Sequence, residues 1–144
     1  MYLDYDHLHL YVKNYNRYKN AIKRLELEIE ELETMINPKG IDYSKPISNG
    51  SPSDNFRIQC FHEINQKQDE IEPYLKMVKT VDELLTWHEN KGNKNACYII
   101  LERMRGATLE QIADDLSYSL QAIDKIYRKN LNHYLFEKSR NSTT

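Results

Sequence analysis

Residues 3–36 contain neither proline nor glycine, and their apolar and aromatic side chains keep a regular spacing. Leu8, Tyr11, Tyr15, Tyr18, Ile22, Leu25, Ile29, Leu32 and Ile36 follow at alternating steps of three and four. That is the a/d signature of a coiled-coil seam, held for about four heptads. Between them lie Lys23, Arg24, Glu26, Glu28, Glu30, Glu31 and Glu33, charged and strongly helix-forming. A helix over this stretch would be about 50 Å long at the usual rise per residue. A rod of that length cannot bury its own seam, so it needs a partner helix from its own chain or from another. The tyrosines read as seam filling. Their hydroxyls need polar partners, which suits a wide hairpin or an oligomer better than a tight zipper.

Composition points the same way. The 144 residues include 4 Gly and 4 Pro, below the usual shares of about 7% and 5%. A sheet protein with many tight turns needs more of both, so the fold is expected to be all-α. With 40% hydrophobic residues and a mean hydropathy of −0.79, the core should be thin and shared between long helices. The longest wholly apolar run, residues 96–101, is far short of the roughly 20 residues of a membrane span. Asp4 stands where a secretory signal would be basic. Cys60 and Cys97 are too few for a disulfide framework or a four-cysteine zinc site. Without an export signal the acceptor pattern at residues 141–143 is set aside. The expectation is a cytoplasmic protein with no membrane partner, no cofactor and no metal.

Residues 37–54 hold three of the four prolines and two of the four glycines, which stops the first helix. Ser53 and Asp54 can cap a second helix beginning near Phe56. Phe61, Ile64, Ile71, Leu75, Val78 and Leu85 mark its seam, interrupted by Gln68 and Asp82. Pro73 should kink it or split it in two. Two long helices and this connector predict a helical hairpin or coiled coil over residues 1–91. Gly92 is the next break and the expected domain boundary, with Trp87 an anchor towards the C-terminal segment.

The segment after Gly92 carries the most informative pattern. Thr108 with Gln111 three positions later is a capping box, opening a short helix over 109–116 with Leu109, Ile112, Ala113 and Leu116 on its apolar face. Ser117 and Tyr118 make a tight turn, and Ser119 caps the next helix, which buries Ile123, Ile126 and Leu131 with Tyr127 and Tyr134 beside them. A short scaffold helix, a tight turn and a second helix with a free face form a helix-turn-helix. This predicts a C-terminal domain over 92–138 and a tail over 139–144.

Residues 92–138 resemble the region-4 helix-turn-helix of sigma-70-type factors. The whole layout resembles the phage late-transcription regulators of the ArpU/RinA type. The resemblance covers most of the chain: the charged long helix, the linker around Gly40, Tyr43 and Pro46 with Ser51 to Asn55, the second long helix, residues 106–113, and residues 122–128. It implies a phage or prophage regulator that binds double-stranded promoter DNA or recruits host RNA polymerase. Position 117 usually carries Gly or Asn in that pattern and here is Ser; Asp124 and Leu120 also depart from it. A recognition helix in the major groove meets base edges with its N-terminal half. That assigns Ser119, Gln121, Ala122 and Lys125 to the bases, and Arg128 and Lys129 to phosphates, with Arg103 and Arg105 as further phosphate contacts. Pairing two copies would raise affinity through effective concentration, so a homo-oligomer is expected.

The net charge of −2 carries no bulk basic signal. Its distribution is uneven: residues 117–140 hold five basic side chains against Asp124 and Glu137. No catalytic constellation is legible. His62 and Glu63 begin like a zinc-protease helix but lack the second histidine. His7 and His9 face different directions on a helix and read as solvated, and His88 and His133 have no evident partners. Two other readings are a coiled-coil protein-interaction module and a small terminase-like subunit of a phage packaging motor. In the latter class the DNA-binding unit usually precedes the oligomerising helices, and the reverse order here argues against it.

Overall fold

The computed structural model describes residues 3–37 and 54–142. They form six α-helices and no strand: α1 (Tyr5–Lys13), α2 (Tyr15–Ile36), α3 (Asp54–Asn90), α4 (Lys94–Met104), α5 (Leu109–Leu116) and α6 (Leu120–Ser142). The fold is all-α. No helix among the described residues is long and apolar enough to cross a membrane. The expected linker motif around Gly40 and Pro46 lies outside the described residues.

The first segment is not one helix. It breaks at Asn14, whose φ of −102° and ψ of 14° end α1. The Asn14 side-chain amide donates to the Leu10 carbonyl at 3.0 Å, while the Asn14 backbone N–H reaches the same oxygen at 2.9 Å. An Asn side chain that competes for a helix carbonyl weakens the helix locally. At the other end Asp4 caps α1, accepting from the His7 N–H at 2.9 Å.

The second long helix departs from expectation in two ways. It is not split at Pro73, which lies inside one continuous helix. The missing N–H there would have bonded the carbonyl of Asp69, an exposed residue that water can satisfy. Its buried stripe keeps Ile64 and Ile71 of the expected seam, with Val78 and Leu85 partly buried, but differs from it at Phe61 and Leu75. Cys60, Ile64, Ile71, Val81, Leu84 and His88 are buried, while Phe61 and Leu75 are exposed. A cysteine, the stem of Lys67 and a histidine occupy seam positions that an apolar pattern does not count.

The chain divides into two compact units, residues 1–19 with 76–144, and residues 20–75. In the second unit Ile22, Leu25, Ile29, Leu32 and Ile36 of α2 are buried, as are Cys60, Ile64 and Ile71 of α3. Glu28 and Lys67 join the two helices by an ion pair of 2.8 Å. These seam positions are therefore covered within one copy of the chain.

In the first unit Leu8, Val12 and Tyr15 pack with Val81, Leu84, Ile99, Ile100, Ile112, Ile123, Tyr127 and Leu131 in one core. Tyr11 and Tyr18 of the expected seam are only partly covered, and their rings meet edge-on at 6.4 Å. The Tyr15 hydroxyl donates to Asp82 at 2.7 Å, the polar partner that a buried tyrosine requires. Gly92 is a turn between α3 and α4 inside this unit, not the edge of one. Residues 76–91 belong with the C-terminal helices because Val81, Leu84 and His88 are buried at that end of α3.

Candidate nucleic-acid interface

Three successive helices end in the same way, and these ends set the path of the chain through α4, α5 and α6. After α3, the N–H of Asn93 reaches the His88 carbonyl at 3.0 Å, with Gly92 at φ 74°. After α4, Ala107 reaches Glu102 at 2.9 Å, with Gly106 at φ 99°. After α5, Tyr118 reaches Ala113 at 2.9 Å, with Ser117 at φ 59° and ψ 37°. Each is a Schellman closure around a left-handed residue. Glycine adopts that conformation freely and serine does not.

The segment from α5 to α6 is locally determined. Thr108 Oγ1 accepts from the Gln111 N–H at 3.1 Å, and Gln111 Oε1 accepts from the Thr108 N–H at 2.9 Å, completing the capping box. Ser119 Oγ accepts from the Ala122 N–H at 3.1 Å and opens α6. Ile112, Ala113 and Ile123 are buried, and the small Ala113 lies where α5 packs on α6.

This packing turns one face of α6 outward. Gln121, Lys125 and Lys129 are exposed and recur at intervals of four, so they share that face. Ala122 is half-buried and Ser119 is exposed, its hydroxyl engaged as the cap. Tyr118 and Leu120 are also exposed, beside the turn. Arg128 is exposed but already engaged: its Nε lies 3.1 and 3.2 Å from the two Asp124 oxygens, and its guanidinium stands 5.2 Å from the centre of the Tyr5 ring.

The two arginines ahead of α5 are placed differently. Arg103 is half-buried, with Nη1 donating to the Ala107 carbonyl at 3.0 Å and the guanidinium 5.8 Å from the Tyr127 ring. Its Nε is the one buried side-chain polar atom without a partner among the described residues. Arg103 therefore braces the α4–α5 turn, with its guanidinium already engaged. Arg105 is exposed and paired with Glu102 at 2.9 Å.

The histidines show what periodicity alone missed. His9 is half-buried, its Nδ1 2.9 Å from the Tyr127 hydroxyl and its ring stacked 5.8 Å from Tyr5. Burial, with the charges of Arg103, Lys13 and Arg128, holds the His9 pKa below its ordinary value. Burial pushes the Tyr127 hydroxyl well above the usual tyrosine range, so that hydroxyl keeps its proton and can donate it to a neutral His9. His7, by contrast, is exposed and pairs with Asp4 at 2.6 Å. His88 is fully buried, with Nε2 3.1 Å from the Asn130 carbonyl and Nδ1 3.1 Å from Asn93 Nδ2. A carbonyl only accepts and an amide NH₂ only donates, so this pair of contacts fits the neutral ring carrying its proton on Nε2. Trp87 is half-buried between His133 and Tyr134, its ring edge-on to both at 5.2 and 5.7 Å.

An open groove of about 560 Å³ lies between α3 and α6, with Trp87 and Tyr134 among its lining residues. Its charges answer one another: Glu83 pairs with Lys138 at 3.0 Å, and Asp82 receives the Tyr15 hydroxyl. No cluster of three or more His, Cys, Asp or Glu side chains among the described residues could hold a metal ion. Comparison of the chain with protein-family models, curated proteins and solved structures returns no match.

Proposed function

We propose that this chain is a DNA-binding transcription regulator of phage or prophage origin, acting on late genes by binding promoter duplex through α5 and α6. The observation that carries the reading is the outward row Gln121, Lys125 and Lys129 on α6, which follows α5 across a capped turn as in a helix-turn-helix. In such a unit the second helix enters the major groove with its first turns against base edges. Gln121 suits an adenine edge, Ala122 a thymine methyl, and Lys125 a base edge or phosphate. Lys129 and Arg128 suit phosphates. The exposed acids Glu110, Asp114 and Asp115 of α5 would repel phosphates, which favours approach from the α6 side. The resemblance to ArpU/RinA-type regulators supports promoter DNA as the duplex and host RNA polymerase as a further partner.

Two copies bound side by side would gain through effective concentration. Exposed Leu27, Met35, Ile58, Phe61 and Leu75 in the second unit provide apolar surface for that pairing. The test is a mobility shift on the DNA flanking the gene, at low salt, with wild type and Lys125→Ala/Lys129→Ala. A shift lost in the double variant is expected; unshifted DNA with the wild type overturns the reading. Retention of a protein complex without DNA would favour an interaction module in its place.

A further inference from the structure

Commitments already made by side chains in the first turns of α6 narrow what that end of the helix can read. The Ser119 hydroxyl accepts from the Ala122 N–H at 3.1 Å. The Asp124 carboxylate holds Arg128 Nε with both oxygens, at 3.1 and 3.2 Å. The polar side chain left exposed on this turn is the amide of Gln121. Beside it the surface is apolar: Tyr118 and Leu120 are 46% and 44% exposed. Side chains on a helix tilt towards its N-terminus. Leu120, the first residue of α6, therefore leans past the helix start, the part of a recognition helix that meets base edges. A leucine has no hydrogen-bonding group. Among the base edges of the major groove, the apolar feature is the C5 methyl of thymine.

Building on the reading that this unit binds duplex DNA, we propose that Leu120 reads a thymine methyl group, so that the preferred ligand is a duplex presenting a thymine to the first turn of α6. Gln121 complements the contact. Its amide pairs with N6 and N7 of adenine, the base opposite thymine, so the apolar and amide groups select the same base pair from its two strands. Sequence preference at this end of the helix then rests on methyl contact more than on charge.

The experiment is selection from a random duplex pool of about two helical turns, followed by resynthesis of the recovered duplexes with deoxyuridine replacing thymidine. The exchange removes only the methyl. Wild-type affinity is expected to fall on the order of fourfold for each contacted thymine, the worth of one buried methyl. Leu120→Ala, checked for folding by circular dichroism, should bind the two duplexes with a smaller ratio. Equal wild-type affinity for both duplexes overturns the role of Leu120 and leaves DNA binding intact. Failure to enrich any duplex at low salt overturns the DNA-binding reading itself. The wild-type comparison needs no variant, so a misfolded Leu120→Ala would not blunt the test.

Discussion

The guanidinium of Arg128 lies against the carboxylate of Asp124 one helical turn earlier, with Nε 3.1 and 3.2 Å from the two oxygens. The pair is exposed, so its net worth is small, about 0–1 kcal/mol. It nonetheless decides how a cation on the outward side of α6 is presented. An Arg already held by a carboxylate meets a phosphate only after exchanging partners, whereas Lys125 and Lys129 make no such exchange.

Asp124→Asn should therefore tighten duplex binding at low salt by up to about fivefold, the equivalent of the pair's upper worth. It should also steepen the salt dependence by about 0.9, the share of one additional neutralised phosphate. Fluorescence anisotropy titrations at several salt concentrations measure both. Unchanged affinity and slope would mean that Arg128 stays on Tyr5 and away from DNA.

Ser117 occupies a left-handed conformation that costs a non-glycine residue roughly 1–2 kcal/mol. Ser117→Gly should raise stability by up to about 1 kcal/mol, part of the relief being offset by the greater freedom of glycine in the unfolded chain. Ser117→Val should lower it. Urea denaturation midpoints report both changes.

Stability should fall as the medium is acidified below neutrality. Burial lowers the pKa of His88, as burial and neighbouring cations lower that of His9. The unfolded chain therefore takes up protons at the ordinary histidine pKa, about 6.5, before the folded chain does. The contribution of each ring is complete above that pH and is lost as pH falls through the depressed folded value. Denaturation at pH 7.5 and 5.5 should show this loss in wild type and less of it in His88→Gln.

Arg103 separates bracing from binding. Arg103→Ala removes the bond to the Ala107 carbonyl and the contact with Tyr127, and should cost about 1–3 kcal/mol of stability. Lys125→Ala, at an exposed position, should stay within about 0.5 kcal/mol of wild type. Thermal unfolding of the two variants distinguishes them.

Much of the local structure was legible because its causes are local. The capping box of Thr108 and Gln111, the cap at Ser119 and the turn at Ser117 each depend on residues within a few positions, and each stands as expected. The all-α fold followed from equally local signals: helical spacing and few turn residues. What was not legible depends on contacts distant in sequence. His9 meets Tyr127, and His88 meets Asn130, only once the chain has folded. The covered stripe of α3 also includes Cys60, Lys67 and His88, which a count of apolar residues passes over. The first helix ends at Asn14, a break that heptad spacing does not reveal. For the same reason Arg103 read as a surface cation: its half-burial arises from the packing of α4 against α6.

The central claim is that the outward face of α6 binds duplex DNA through Lys125 and Lys129. The most direct test is the slope of log affinity against log salt for wild type and for Lys125→Ala/Lys129→Ala, on one duplex. Removing both cations should reduce the slope by about 0.9 where Lys125 meets a base edge and by about 1.8 where it too meets a phosphate, with circular dichroism unchanged. An identical slope in both proteins, or no binding by wild type at low salt, would contradict it.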